Sequence, residues 1–335
     1  MTSPVITVFM AAYNSSGFIE ESIASILTQT FKDFEFIIID DGSTDDTASV
    51  VKKFTDSRIR FIQNEGNKGL PYTRNRLLTL AKGEYIAILD SDDIAYPNRL
   101  QLQLDFLYAH PEIALCGGHS KIIDKNGLES NNEIIAPTDD SINMRILFTN
   151  PFVNSSTMFK TQAFKEVNGY RDYALAEDFD LFIRISEKYK VANIDAFLVK
   201  YRIHGENITI KRSEDQEKNE LQILKYIQDS LGMPFNITHL NLHKQLFTNN
   251  LKKTSFLSYF DLLNAMKTAN TKSKRFDQQK VNRFLFNKWF EILKSKKANV
   301  KALNWYFKKE LYHPSFFNFK QFRKVFKISL RGLIS

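Results

Sequence analysis

Apolar residues along the first third of the chain fall into two alternating rhythms. Residues 5–10, 34–39 and 84–89 are short unbroken runs rich in Val, Ile and Phe, with the length and composition of buried strands. Between them, residues 18–27 place Ile19, Ile23, Ile26 and Leu27 on one helical face, with Ser15 and Ser16 as candidate caps. Residues 44–54 and 73–81 repeat the helical spacing, and 60–62 add a short strand. Strands and helices that alternate at this spacing predict an α/β fold wound in βαβ units around a mainly parallel sheet.

Further along, 100–108 reads as a helix that stops near Pro111. Residues 113–116 and 121–123 read as two strands, 164–170 as a short helix closed by Gly169, 178–189 as a helix and 196–201 as the last strand. After Ser213 only helical patterns remain, at 214–230, 256–269, 278–293, 300–311 and 319–333. Met233-Pro234 marks the expected boundary, which gives a domain over 1–232 and a helical region over 233–335.

Charge sharpens that division. The net charge is +8, but residues 241–335 carry 21 Lys and Arg against 4 Asp and Glu, so the first 240 residues are acidic overall. Both tryptophans, Trp289 and Trp305, lie in the basic part. On a helix over 319–333, Phe319, Phe322, Phe326, Leu330 and Leu333 share an arc of about 80°. Lys320, Arg323, Lys324, Lys327 and Arg331 occupy the adjoining arc. An apolar stripe beside Lys and Arg suits a helix lying in an anionic membrane surface; the alternative is a packed helix with a solvated basic face. No run of about 18 apolar residues is present to span a bilayer. The single Cys116 reads as a buried small hydrophobe and suits a reducing, cytoplasmic compartment, with the chain peripheral on the inner face of the plasma membrane. Nucleic acid is a poor match for a chain whose larger part is acidic.

The candidate chemistry sits at strand ends. Asp90-Ser91-Asp92-Asp93 follows the run 84–89, and Asp40-Asp41 follows 34–39. Carboxylates crowded together repel one another unless a cation compensates, and ligands of open α/β sheets bind beyond the carboxyl ends of the strands. This points to a divalent metal and, through it, to phosphate. Asp41-Gly42-Ser43-Thr44-Asp45 alone also reads as a turn and helix cap. Its spacing does not fit a calcium loop, because Asp46 stands where glycine is needed and Lys52 where glutamate is needed.

Taken in order, Ala11-Ala12-Tyr13-Asn14, Asp40 to Asp45, Gly69 with Arg74-Asn75, residues 81–86 and Leu89 to Asp93 resemble family 2 glycosyltransferases, with Asp90-Ser91-Asp92 as the Asp-x-Asp element. Asn168-Gly169-Tyr170, residues 177–182 and Tyr201-Arg202-Ile203-His204 resemble the later motifs of that family, so the resemblance covers about residues 3–212. It implies a GT-A nucleotide-binding domain and transfer of a sugar, with inversion, from a UDP-linked donor to a glycan or lipid-linked glycan, with Mn2+ or Mg2+ as cofactor. Ala11, Ala12 and Tyr13 would line the base pocket, and Asp41 would accept a hydrogen bond from the base imide. Arg74 would be a cation near the nucleotide, and Asp90, Ser91 and Asp92 would belong to the donor site. Asp92 would bind the metal, with His204 a further ligand, and either Asp90 or Asp93 would hold the ribose or support the metal. Asp178 would be the catalytic base, with Gly169, Tyr170 and Glu177 on the acceptor side. Phe182, Asn168 and Asn154 depart from the usual Trp, Gly and His of the pattern. Two other classes stand beside this reading: a non-catalytic nucleotide-sugar or lipid-binding module, and a haloacid-dehalogenase-type phosphatase, whose motif Leu89-Asp90-Ser91-Asp92 resembles only superficially.

Overall fold

The computed structural model describes residues 3–173, 175–205, 214–251, 256–295 and 299–334. The chain forms two compact units, Met1–Asn143 with Asn150–Asn219, and Met144–Thr149 with Glu220–Ser335.

The first unit is built on one sheet. Its strands are β1 (Ile6–Ala12), β2 (Phe34–Asp40), β3 (Ile59–Gln63), β4 (Tyr85–Ile88), β5 (Ile94–Ala95), β6 (Ile113–Ile123), β7 (Glu129–Ile134), β8 (Met158–Lys160) and β9 (Lys190–Arg202). Their order is β3-β2-β1-β4-β8-β6-β9-β5, with β7 paired to β6. The first four neighbours are mutually parallel, β8 runs against both β4 and β6, and β9 is parallel to β6. Register fixes the useful edge: Ala12 pairs with Asp40, Asp40 with Gln63, and Phe9 with Ile88. The ends of β1, β2 and β4 therefore open on one side. Because β8 is antiparallel, with Met158 opposite Ala87, the residues that lead into it, Asn154–Ser156, come to that same side.

These strands read clearly in the sequence because both of their faces are buried, as in parallel sheets generally. Val8, Met10, Phe36 and Ile38 pack under the helix Ile19–Leu27, while Phe9, Ile37, Ile39, Ile86 and Ile88 are buried as well.

Several local expectations are corrected. Ser15 and Ser16 do not cap the first helix with their side chains; Ser15 Oγ accepts from Tyr13 N–H and meets Ser91 Oγ at 2.8 Å. The second helix is only Thr47–Val51, because Asp45 spends its carboxylate on Ser16 N–H and on Thr47 N–H and hydroxyl. The third is split into Leu70–Asn75 and Leu77–Leu80 and begins earlier, at Leu70, with Pro71 in its first turn. Residues 113–123 are one strand rather than two. Its Gly117 and Gly118 lie so close to Asn193 and Leu198 that a side chain on either would collide, and the register shifts there. β9 extends back to Lys190. Cys116 is fully buried, and burial pushes its thiol up to about 12.

The second unit is helical: Ile237–Phe247, Phe256–Ser273, Gln278–Ser295, Ala302–Tyr306, Phe319–Ile334 and the larger part of Glu214–Ser230. Its centre is aromatic. Trp289 is fully buried, donates from Nε1 to the Trp305 carbonyl at 2.9 Å, and meets Phe256, Phe260 and Trp305 edge-on. His243 is buried with its Nε2 2.6 Å from the Leu147 carbonyl, and burial holds it down to about 4, so it is neutral. The helix Ile237–Phe247, which the periodicity did not predict, starts at Asn236, whose side chain accepts from Thr238 and His239 N–H. The helix expected over 300–311 shrinks to Ala302–Tyr306. Among the described residues, no helix is long and apolar enough to cross a membrane.

Candidate active site

At the end of β1, Ala12 is buried and Tyr13 is 48% exposed. Beside it, the two aspartates that end β2 divide their work. Asp40 is fully buried and shapes the turn, accepting from Ser43 N–H at 3.0 Å and from Gln63 Nε2 at 3.1 Å. Asp41 accepts from Asn64 Nδ2 at 2.7 Å, Lys68 N–H at 3.0 Å and Gly69 N–H at 2.9 Å. A carboxylate offers about four acceptor positions, so Asp41 is oriented with capacity to spare. Gly42 has φ +73, and a Cβ there would stand 2.5 Å from the Gly66 backbone, so only glycine fits this turn.

The run 90–93 divides in three. Asp90 accepts from Arg74 Nη2 at 3.0 Å, Asn154 Nδ2 at 3.0 Å and Ser155 Oγ at 2.9 Å. Asp93 turns inward, is 1% exposed, and accepts the Arg202 N–H at 2.8 Å. Burial, then the charges of Asp92 and Asp90, raise its carboxyl well above the usual range. Asp92 lies 3.0 Å from His204 Nε2, and burial and the charge of Asp90 raise it too. Ser91 ties this loop to the first βα turn through Ser15 Oγ and through its carbonyl, which accepts from Ser22 Oγ. Arg202 staples the end of β9 beneath: its Nε donates to the Asp92 carbonyl at 2.7 Å and its Nη2 to Glu21 at 2.6 Å, over the Phe18 ring. The same ring packs against His204 at a tilt of 33°.

Among the described residues, no cluster of three or more His, Cys, Asp or Glu forms a closed metal cage. Asp92 and His204 nevertheless fit a hard divalent ion. They converge on one another, and a cation would relieve the crowding of carboxylates that raises Asp92. Ions of this class complete their shells with water and substrate phosphate.

On the other side stands Arg74, 3% exposed. One of its terminal nitrogens is 2.5 Å from Glu177 Oε1 and the other is 3.0 Å from Asp90 Oδ1. Burial pushes the Glu177 carboxyl up to about 7, against the pull of Arg74 and helped by the charge of Asp178. Asp178, in the first turn of the helix Glu177–Lys188, is half-buried, accepts the Phe179 N–H at 2.7 Å, and has Asn150 Nδ2 at 3.3 Å. Burial raises its carboxyl, and Arg74 moderates the rise. Leu175, two residues before this helix turn, has φ +68, a strained setting for a branched side chain.

Tyr170 is buried with its ring 5.4 Å from the Arg74 guanidinium, and its hydroxyl has no protein partner. Asn75 holds it by a reciprocal pair, accepting from Tyr170 N–H at 2.7 Å and donating to its carbonyl at 2.8 Å. Gly169, at φ +64, would place a Cβ 2.3 Å from Asn75 Oδ1. Arg184 fixes the turn from below, donating to the Gly169 carbonyl and pairing with the fully buried Asp180.

The fold therefore gathers Ala12, Tyr13 and Asp41 at one set of strand ends. It joins Asp90, Arg74 and Glu177 in one network, and pairs Asp92 with His204. Asn154, Ser155, Asn75, Arg184 and Arg202 were not assigned from sequence. Arg202 and Asn75 fall inside the family motifs, but nothing in their spacing reveals which atoms they hold.

Residues 7–167 match the family described as glycosyl transferase family 2. An uncharacterised glycosyltransferase of Methanocaldococcus jannaschii is 35% identical over 231 residues, covering 67% of this chain and 80% of that protein. The crystal structure of S. aureus TarS in complex with UDP-GlcNAc superposes with a TM-score of 0.59 at 20% identity, over 97% of this chain and 91% of that one. The mannosyltransferase PcManGT from Pyrobaculum calidifontis, in complex with GDP-Man and Mn2+, gives 0.53 at 15% identity, over 99% and 88%. The sheet-bearing unit has the GT-A fold, and the chain is a glycosyltransferase that belongs to family 2.

Proposed function

We propose that this glycosyltransferase moves a sugar from a UDP-linked donor to a hydroxyl of a glycan or lipid-linked glycan, with inversion at the anomeric carbon and with Mn2+ or Mg2+ bound. The observation that carries the reading is the buried Arg74, whose guanidinium holds Asp90 of the donor loop and Glu177 beside the base. In this reading Tyr13 offers its ring to the base, with Ala11 and Ala12 behind it, and Asp41 accepts the imide N–H of uracil. Asp92 and His204 would hold the ion, which supplies charge stabilisation to the leaving diphosphate. Ser91 and Asp90 keep the donor loop in place, and Asp90 is the better candidate for the ribose, since Asp93 is engaged in the core.

Asp178, whose proton affinity burial raises, takes the proton of the acceptor hydroxyl as that oxygen attacks from the face opposite the diphosphate. A single displacement of this kind inverts the carbon. Glu177, Gly169 and Tyr170 belong to the acceptor side, Tyr170 through its unpartnered hydroxyl. A lipid-linked acceptor would meet the enzyme on the inner face of the plasma membrane.

A screen of UDP- and GDP-sugars for nucleotide release tests this. Guanine also carries a ring N–H that Asp41 could accept, and a neighbour of the same fold binds GDP-Man, so both arms are needed. Release from a UDP-sugar that chelator abolishes and Mn2+ restores is the expected result. Release from GDP-sugars alone would replace the base assignment, and release indifferent to chelator would remove the metal.

A further inference from the structure

The helix Phe319–Ile334 does not pack through the apolar stripe that its sequence aligns. Among the described side chains of this helix, Val325, Ile328 and Ser329 are the buried ones, and a Cβ on Gly332 would stand 2.5 Å from the Val300 nitrogen. These four occupy the arc next to the stripe. The stripe itself stays outside: Phe319 is 66% exposed, Phe326 42%, Leu330 42% and Leu333 68%. Phe322 is half-buried and joins it to other rings, stacking on Phe326 and meeting Phe307 and Phe317, which are themselves 40% and 48% exposed. The result is a continuous outward shelf of large apolar side chains, wider than the helix alone would present. Soluble proteins seldom leave such a patch open without a partner.

Charge identifies the partner. Lys320, Arg323, Lys324, Lys327 and Arg331 flank the shelf along the helix and are exposed, as are Lys308 and Lys309 beside Phe307. Over residues 299–335 there are eight Lys and Arg and a single acidic residue, Glu310. A second copy seated on this shelf by two-fold symmetry would set basic rim against basic rim. An anionic bilayer reverses that sign and also takes up the apolar side chains. We propose that this shelf is a membrane-docking surface, with the helix lying flat on acidic phospholipid and the six exposed or half-exposed rings and leucines around Phe322 entering the headgroup layer. The inference goes beyond the donor and metal assignments and stands independently of them.

Flotation of the full chain tests it, with vesicles of phosphatidylcholine alone or mixed equally with phosphatidylglycerol. The wild type is expected to float with the mixed vesicles, with partitioning lower by about tenfold on the neutral ones and in high salt. A triple variant, Phe319→Ser with Phe326→Ser and Leu333→Ser, and a charge variant, Lys324→Glu with Lys327→Glu, should each lose flotation. Both should keep the wild-type unfolding temperature and nucleotide release, because all five side chains are exposed. Equal recovery of the wild type on both vesicles, or undiminished flotation of the triple variant, overturns the proposal. So does a wild-type dimer that the triple variant dissolves while neither protein floats.

Discussion

The two units handle charge in opposite ways. In the sheet unit, Arg74, Arg202, Asp93 and Glu177 are taken into the interior and tied to the partners described above, and the fully buried Arg99 donates to the Ile88 carbonyl at 2.6 Å. In the helical unit, the charges of the last helix stand in solvent beside exposed rings, and the interior is held by aromatic packing around Trp289. Buried charge is costly, and removing one member of a pair costs more than the pair contributes. The sheet unit accepts that cost where it fixes the geometry of a site. The helical unit, whose core needs only to pack, leaves its charge outside, available to a surface.

The contrast makes graded predictions. With Asp178 as the proposed base, Asp178→Asn should reduce kcat by about 100- to 10,000-fold with little change in unfolding temperature, since the amide oxygen can still accept the Phe179 N–H. In the wild type, the pH profile of kcat/KM should agree. As the proposed base Asp178 would have to be ionised, and its carboxyl is raised by burial, so activity should be lost on acidification through an apparent pKa above the ordinary aspartate value. A limb at or below that value would reject Asp178 as the base. Next in size, Arg74→Met should destabilise the fold by about 3–5 kcal/mol, because Glu177 and Asp90 lose their shared cation; denaturant unfolding that matches the wild type would break the comparison on the sheet side. Smallest is Trp289→Phe, which removes the bond to the Trp305 carbonyl and part of a ring. It should cost about 1–2 kcal/mol in stability and leave donor hydrolysis untouched.

How much was legible depends on how locally each feature is determined. The parallel strands were visible because burial on both faces makes them continuous apolar runs, and their order at one edge follows from βαβ winding. The edge strand Glu129–Ile134, with sequence ESNNEI, and the helix Ile237–Phe247, with polar residues spread round its surface, carry weak periodicity and were missed. The short β8 has only three residues to declare itself. At the site, the residue types and their motif order identified the class and left no place for the phosphatase or the non-catalytic reading once family membership was established. The sequence could not divide Asp90, Asp92 and Asp93. That division depends on Arg202 reaching back from β9 and on Asn154 and Ser155 arriving through an antiparallel strand, contacts that span 64 to 110 positions of chain. Long-range partners of this kind leave no trace in local spacing.

Arg74 has one more consequence. A single guanidinium is the common anchor of a loop that ends one strand and of the turn that opens a distant helix. Those two segments are thereby geared together: on the donor and acceptor roles proposed for them, neither can be re-aimed without disturbing the other. Diversification among enzymes built on this plan should therefore spare the Arg74–Asp90–Glu177 triangle and concentrate on side chains that touch neither end of it, so that the specificity of such a protein is written around a fixed axle.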